Sequence, residues 1–137
     1  MKIVLDTNII MAALMGSRAA LIIITSQHYE LYAPEGVITE IKRHKNFICR
    51  FIKQNTREFN INLHSILEFV HILSIKEYTP YLTKSLELMK DRDSSDAVFI
   101  ACAFCIKADF IWSNDKDFKE QNLFQTKTTQ EFIDSRK

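Results

Sequence analysis

The amino-acid sequence predicts a three-layer α/β/α sandwich built on a mostly parallel sheet of about five strands. Short strand-like segments alternate with segments of helical periodicity. Strands that are separated by helices pair in parallel through right-handed crossovers, which place helices on both faces of the sheet. The chain has 137 residues and no linker-like or repeated stretch, so we expect a single domain over residues 1–137.

The N-terminal half is predicted to contain two strands and four helices. Gly16 would end the first helix, and Ser17 would cap a second, strongly apolar helix. Pro34 would end the second strand. The predicted elements, in order, are a strand over 2–5, helices over 8–15 and 18–26, a strand over 31–33, and helices over 35–44 and 47–54.

The C-terminal half is predicted to contain three strands and four helices. Pro80 is expected at the first position of its helix with Thr79 as the N-cap, because proline fits the first turn. Thr129 is expected to cap the last helix. The predicted elements, in order, are a helix over 63–69, a strand over 70–75, a helix from 80, a helix from 96 to 107, strands over 110–112 and 125–127, and a helix from 130.

The charge, the apolar runs and the cysteine count of the chain limit the partners and the location that we expect for it. The formal net charge is +1, so an anionic partner must be attracted by a local patch or a metal. The longest apolar run, residues 19–24, is far shorter than the ~20 residues that span a bilayer, and no signal-peptide pattern is present. Three cysteines favour a reducing cytoplasm, and Cys102 and Cys105 are expected to be buried structural thiols.

Six acidic residues stand at points that this fold would bring together. Ligands of open parallel sheets bind beyond the carboxyl ends of the strands, and these acids would share that edge if the first strand lies between the second and the fourth. Each acid also has an ordinary explanation as a helix cap, a dipole partner, a turn residue or a surface charge. The six are Asp6, Glu40, Asp93, Asp96, Asp115 and Asp117.

Converging carboxylates favour a bound hard cation, Mg²⁺ or Mn²⁺, and phosphodiester hydrolysis is the matching reaction. One carboxylate that is not a ligand could then orient or deprotonate a water. The neighbouring polar residues expected to contact the scissile phosphate are Thr7, Asn8, Ser113 and Asn114. Lys42 and Arg43 form either a phosphate-contacting edge or a solvated helix terminus. The apolar helix over 18–26 is either buried under a later helix or part of a dimer interface.

Four segments in order resemble the PIN domain family (named for the PilT N-terminus), metal-dependent ribonucleases that include the virulence-associated protein C toxins. The resemblance implies a five-stranded parallel sheet, an acidic pocket for Mg²⁺ or Mn²⁺, an RNA substrate, dimerisation and a protein antitoxin. The segments are Val4-Leu5-Asp6-Thr7-Asn8, Thr39-Glu40-Ile41, Asp93-Ser94-Ser95-Asp96-Ala97, and Ile111-Trp112-Ser113-Asn114-Asp115-Lys116-Asp117-Phe118.

By position, Asp6, Glu40, Asp96 and Asp115 are similar to the four family acids, and Asp93 is similar to an accessory acid. Asp6, Asp93, Asp96 and Asp115 are therefore the implied metal ligands, while Asp117 is expected to be a turn residue. The predicted function is a metal-dependent endoribonuclease that acts as the toxin of a toxin–antitoxin pair. Alternatives are a small-molecule phosphohydrolase, which Asn8 disfavours because related enzymes carry an aspartate there, and a non-catalytic RNA- or protein-binding module.

Overall fold

The computed structural model describes residues 1–88, 96–116, 118 and 124–136. Its five strands form one parallel sheet in the order β3-β2-β1-β4-β5, which confirms the predicted sheet. The chain turns from one side of β1 to the other between β3 and β4, so β1 and β4 flank the switch point. The strands are β1 (Lys2–Leu5), β2 (Glu30–Pro34), β3 (Val70–Leu73), β4 (Phe110–Trp112) and β5 (Thr126–Lys127).

The described residues also form eight helices, and the predicted α/β fold is confirmed. All eight stand in the order that the sequence pattern predicts, and α5 is longer than predicted. The helices are α1 (Thr7–Leu14), α2 (Arg18–Thr25), α3 (Gly36–Arg43), α4 (Lys45–Ile52), α5 (Thr56–Leu67), α6 (Ile75–Leu88), α7 (Ala97–Ile106) and α8 (Thr129–Ser135).

The sheet's central strand, β1, positions the functional edge. Ile3, Val4 and Leu5 are fully buried, because β1 is paired on both sides and covered on both faces. Helix α7 is apolar on every side, and it packs against α6, β1 and β2. An apolar strand of this kind can carry a polar side chain only where it ends, and the residue that follows Leu5 is Asp6.

Three predicted helix starts are wrong. Helix α5 begins at Thr56, where Asn55 and Glu58 form a reciprocal capping box. Helix α6 begins at Ile75, so Pro80 lies inside the helix and not at its first position. Helix α8 is capped by Thr128, whose hydroxyl accepts from the Glu131 N–H at 3.1 Å.

The cysteine pair lies on α7, and its two thiols differ in burial. Cys102 is fully buried, and burial raises the pKa of its thiol. Cys105 is only partly buried, and its Sγ donates to the Glu77 carbonyl at 3.2 Å. The prediction that both thiols are buried is therefore confirmed for Cys102 and wrong for Cys105.

No single helix in the described ranges is both long enough and apolar enough to cross a membrane. Helices α1 and α2 meet these two criteria only when they are taken together, as a pair bent by 108°.

Candidate active site

The carboxyl ends of β1 and β4 meet at the switch point of the sheet. Leu5 is in register with Trp112, and the Asp6 N–H donates to the Trp112 carbonyl at 3.0 Å. Asp6 occupies the N-cap position of α1 with an extended backbone, yet its side chain makes no capping hydrogen bond. Only 6% of Asp6 is exposed. Its carboxylate is therefore a buried acid that interacts with the first N–H groups of α1 without forming a complete capping hydrogen bond.

Ser113, the first residue after β4, holds the Asp6 carboxylate. Its buried hydroxyl donates to Oδ2 of Asp6 at 2.8 Å. The same oxygen accepts from the backbone N–H of Asp115 at 3.0 Å. One hydroxyl thus orients the carboxylate at the end of β1 and also fixes the loop that carries the next acid.

The electrostatics of Asp6 are unfavourable without a cation. Burial raises the pKa of the Asp6 carboxyl above its usual value, and the negative charge of Asp115 raises it further. The hydrogen bond from Ser113 and the backbone N–H groups of Thr7 and Asn8 lower the pKa in part. Two carboxylates that repel each other at a buried edge are an arrangement that a bound cation would stabilise.

Glu40 reaches the same edge from α3. Thr7 is 2% exposed, and its Oγ1 donates to Oε2 of Glu40 at 2.9 Å. This contact is possible because β2 flanks β1, so α3 begins beside the first turn of α1. This hydrogen bond connects Glu40 to Thr7, which follows Asp6 directly and is 33 positions from Glu40 in the sequence.

Asp96 occupies the N-cap position of α7, is 9% exposed and makes no capping hydrogen bond. Among the residues that the structure describes, no group of three or more His, Cys, Asp or Glu side chains is arranged to hold a metal ion. Asp93 and Asp117 lie outside the described residues. Mg²⁺ commonly uses one or two carboxylates together with waters and substrate phosphates, so the oxygen donors of Asp6 and Asp115 fit such a cation.

The other predicted contacts occupy more exposed positions. Asn8 is exposed, and Lys42 and Arg43 are exposed in the last turn of α3. Asn114 has a structural contact, since its Oδ1 accepts from the Thr129 N–H at 2.8 Å and holds the start of α8. Substrate contact by these residues stays a prediction.

Sequence reasoning assigned Ser113 to the substrate and missed its contact with Asp6. A polar pair that follows two buried strands, Asp6 after β1 and Ser113 after β4, was the available signal. It could be used only once β1 and β4 were known to be neighbours.

The fold and this edge define a class of α/β/α protein with buried acidic side chains at the switch point of a parallel sheet. The family description "PIN domain" matches residues 4–134, and the chain belongs to the PIN domain family. The predicted resemblance is therefore confirmed. Comparison with curated protein sequences gives no match.

Solved structures with a similar fold include complexes from three bacteria. VapBC2 from Rickettsia felis, bound to a promoter DNA fragment, matches with a TM-score of 0.68 and 17% identity, covering 93% of this chain and 98% of that one. FitAcB from Neisseria gonorrhoeae gives a TM-score of 0.68 at 17% identity, with the same coverage. A toxin–antitoxin complex from Klebsiella pneumoniae gives 0.66 at 16% identity and covers 92% and 96%.

Proposed function

We propose that this chain is a metal-dependent endoribonuclease that hydrolyses RNA phosphodiester bonds, and that it is the toxin of a toxin–antitoxin pair. One observation carries the proposal: the Asp6 carboxylate is buried at the switch point, forms no complete capping hydrogen bond, and is repelled by Asp115. Membership of the PIN domain family, whose members are generally nucleases, supports the same reading.

Asp6, Asp96 and Asp115 would hold Mg²⁺ or Mn²⁺, with Asp93 as a predicted further ligand. The bound cation would polarise a phosphoryl oxygen and lower the pKa of a bound water. Ser113 holds Oδ2 of Asp6 in place, which would keep the carboxylate in one orientation for binding the cation. Positioning of this kind is what outer-sphere partners of metal ligands provide.

Glu40 is the proposed proton acceptor. Thr7 donates to Oε2 of Glu40, which restrains the side chain and leaves Oε1 to take a proton from the attacking water. Lys42 and Arg43 follow Glu40 on α3, and they would contact phosphates of the bound RNA.

The proposed partners are a protein antitoxin and a second copy of the chain in a cytoplasmic homodimer. Similarity in fold to three toxin–antitoxin structures supports the antitoxin. The homodimer and the cytoplasmic location stay predictions from the sequence.

Cleavage of labelled RNA by the purified chain with Mg²⁺ or Mn²⁺ tests the proposal. We expect Asp6→Asn and Asp96→Asn to abolish cleavage and EDTA to stop the wild type. Glu30→Gln is the matched control, because Glu30 is exposed at the opposite, amino-terminal end of β2. EDTA-resistant cleavage by the Asp6→Asn protein would refute the assignment.

A further inference from the structure

The outer face of α4 carries two phenylalanines that the fold leaves exposed. Ile48 is fully buried, and Cys49 and Ile52 are half-buried on the same side of the helix. Because successive residues of an α-helix are rotated by about 100°, the exposed residues of α4 lie next to one another on its opposite side. Its four exposed residues are Asn46, Phe47, Arg50 and Phe51.

The two rings are stacked on each other and form an exposed aromatic pair. Phe47 is 55% exposed and Phe51 is 61% exposed. Their ring centroids are 6.3 Å apart, and their planes differ by 27°. Because large aromatic side chains gain strongly from burial, a pair of this kind on the outer face of a helix indicates a surface that binds something.

The segment around these rings is strongly basic. Residues 41–57 contain six Lys or Arg residues and no Asp or Glu, whereas the whole chain has 18 basic and 17 acidic residues. The remainder of the chain therefore has 12 basic residues against 17 acidic ones. None of the six makes an ion pair in the part of the chain that the structure describes. The six are Lys42, Arg43, Lys45, Arg50, Lys53 and Arg57.

The positive charge of this face indicates which kind of molecule binds there. In a symmetric dimer the same basic surface would meet itself, and the unpaired cations would repel. A polyanion is favoured instead. Single-stranded nucleic acid suits both properties, since its bases stack on aromatic rings and its phosphates contact cations. A duplex is disfavoured, because its base faces are already stacked.

An open groove beside Arg50 adds polar groups to this face. It has a volume of about 420 Å³ and lies between the flank of α4 that carries Asn46, Cys49 and Arg50 and the start of α5. Arg50 Nε donates to the Asn46 carbonyl at 3.4 Å, and Asn62 Nδ2 donates to Oε1 of Gln54 at 2.8 Å. The groove therefore offers a guanidinium and amide groups to a nucleotide. Its lining residues are Asn46, Cys49, Arg50, Gln54, Asn55 and Thr56.

We propose that the outer face of α4 binds single-stranded RNA, with unpaired bases stacked on Phe47 and Phe51 and phosphates held by Arg50 and its basic neighbours. This inference rests on the proposed function and adds to it a surface, away from the acidic edge, that holds the RNA strand. Helix α3 carries Glu40 and then Lys42 and Arg43 before α4 begins, so basic residues stand between Glu40 and α4 along the chain.

Binding is measured in the Asp6→Asn background by fluorescence anisotropy, with a labelled unstructured oligoribonucleotide of about 12 nucleotides. We expect Phe47→Ala and Phe51→Ala each to weaken binding about tenfold. Phe51→Leu should lose as much as Phe51→Ala, while Phe51→Tyr should keep its affinity, because stacking needs the aromatic face. Arg50→Gln should weaken binding and lower the slope of log affinity against log salt by about one.

Ile22→Ala is the matched control, since Ile22 is an apolar side chain that is also 55% exposed but lies on α2. Melting temperatures of all variants should match the parent, because the substituted side chains lie outside the core. Absence of binding by the parent, equal binding of a duplex of the same sequence, or wild-type affinity in both alanine variants would overturn the inference. Loss of dimers or of binding to an antitoxin, with RNA affinity unchanged, would assign the face to a protein partner and overturn it as well.

The binding measurement does not require catalysis, so the two proposals fail separately. A chain that binds the oligonucleotide through Phe47 and Phe51 but never cleaves RNA contradicts the proposed function alone. A chain that cleaves RNA while the phenylalanine variants bind as the parent does contradicts the inference alone.

Discussion

The hydroxyl of Ser113 donates a 2.8 Å hydrogen bond to Oδ2 of Asp6, and this bond joins residues that are 107 positions apart in the sequence. It links the ends of β1 and β4 at the switch point of the sheet. Because Ser113 also accepts from the Asp115 N–H, one side chain sets the positions of two acids. The geometry of the acidic edge thus depends on a group that carries no charge itself.

Replacing Ser113 with alanine should weaken metal binding without removing a ligand. One buried and one partly buried hydrogen bond are lost, which should lower the free energy of unfolding by about 1–3 kcal/mol. Mn²⁺ affinity should fall roughly 10- to 100-fold, as for other outer-sphere partners. Titration calorimetry and denaturation in EDTA measure the two effects. Ser135→Ala, which removes an exposed hydroxyl that donates to the Phe132 carbonyl, should leave Mn²⁺ affinity unchanged.

Asp6→Asn should stabilise the metal-free protein at neutral pH while abolishing cleavage. The folded-state pKa of Asp6 is raised above its unfolded value of about 3.8. Stability from this group is therefore fully present below the unfolded pKa and is lost as the pH rises through the folded pKa. In EDTA, the free energies of unfolding of wild type and variant should converge in acid and diverge towards neutral pH, with the variant higher.

Saturating Mn²⁺ should reverse that order, because only the wild type gains stability from binding the ion. Denaturation curves across pH, with and without Mn²⁺, provide the measurement. A wild type that is more stable than Asp6→Asn at neutral pH in EDTA would show that the buried charge is already compensated within the protein.

Thr7→Val should reduce turnover more than substrate binding. Valine keeps the shape of the buried side chain but removes the donor to Oε2 of Glu40, so the proposed base is no longer restrained. We expect kcat to fall about tenfold or more with KM little changed. Steady-state kinetics on RNA separate the two constants. Thr25→Val serves as the comparison, since the Thr25 hydroxyl donates only to the Leu21 carbonyl on the exposed side of α2.

Cys102 should resist thiol reagents in the folded protein. Its side chain is fully buried, and burial raises the pKa of the thiol, so little thiolate forms. Labelling with a disulfide reagent should modify Cys102 only after denaturation. The Cys102→Ala protein should give the same native labelling as the wild type and one thiol fewer when unfolded. Rapid native modification of Cys102 would indicate that α7 opens readily.

The sequence alone indicated the order of the elements and singled out the candidate acids. The bounds predicted for the strands over 2–5 and 110–112 are those that the structure shows. A short apolar segment that is followed by polar residues is typical of a buried strand. Asp6 could be singled out because it follows the end of a strand. Glu40 could be singled out because it lies in a short sequence motif.

Only the tertiary structure decided which groups meet. The placement of β4 beside β1 gives Ser113 its contact with Asp6, and the placement of β2 on the other side brings Glu40 to Thr7. The exposure of Phe47 likewise depends on how α4 is rotated against its neighbours. Periodicity reports that a helix has an apolar side, whereas packing between elements distant in sequence decides which apolar residues are covered.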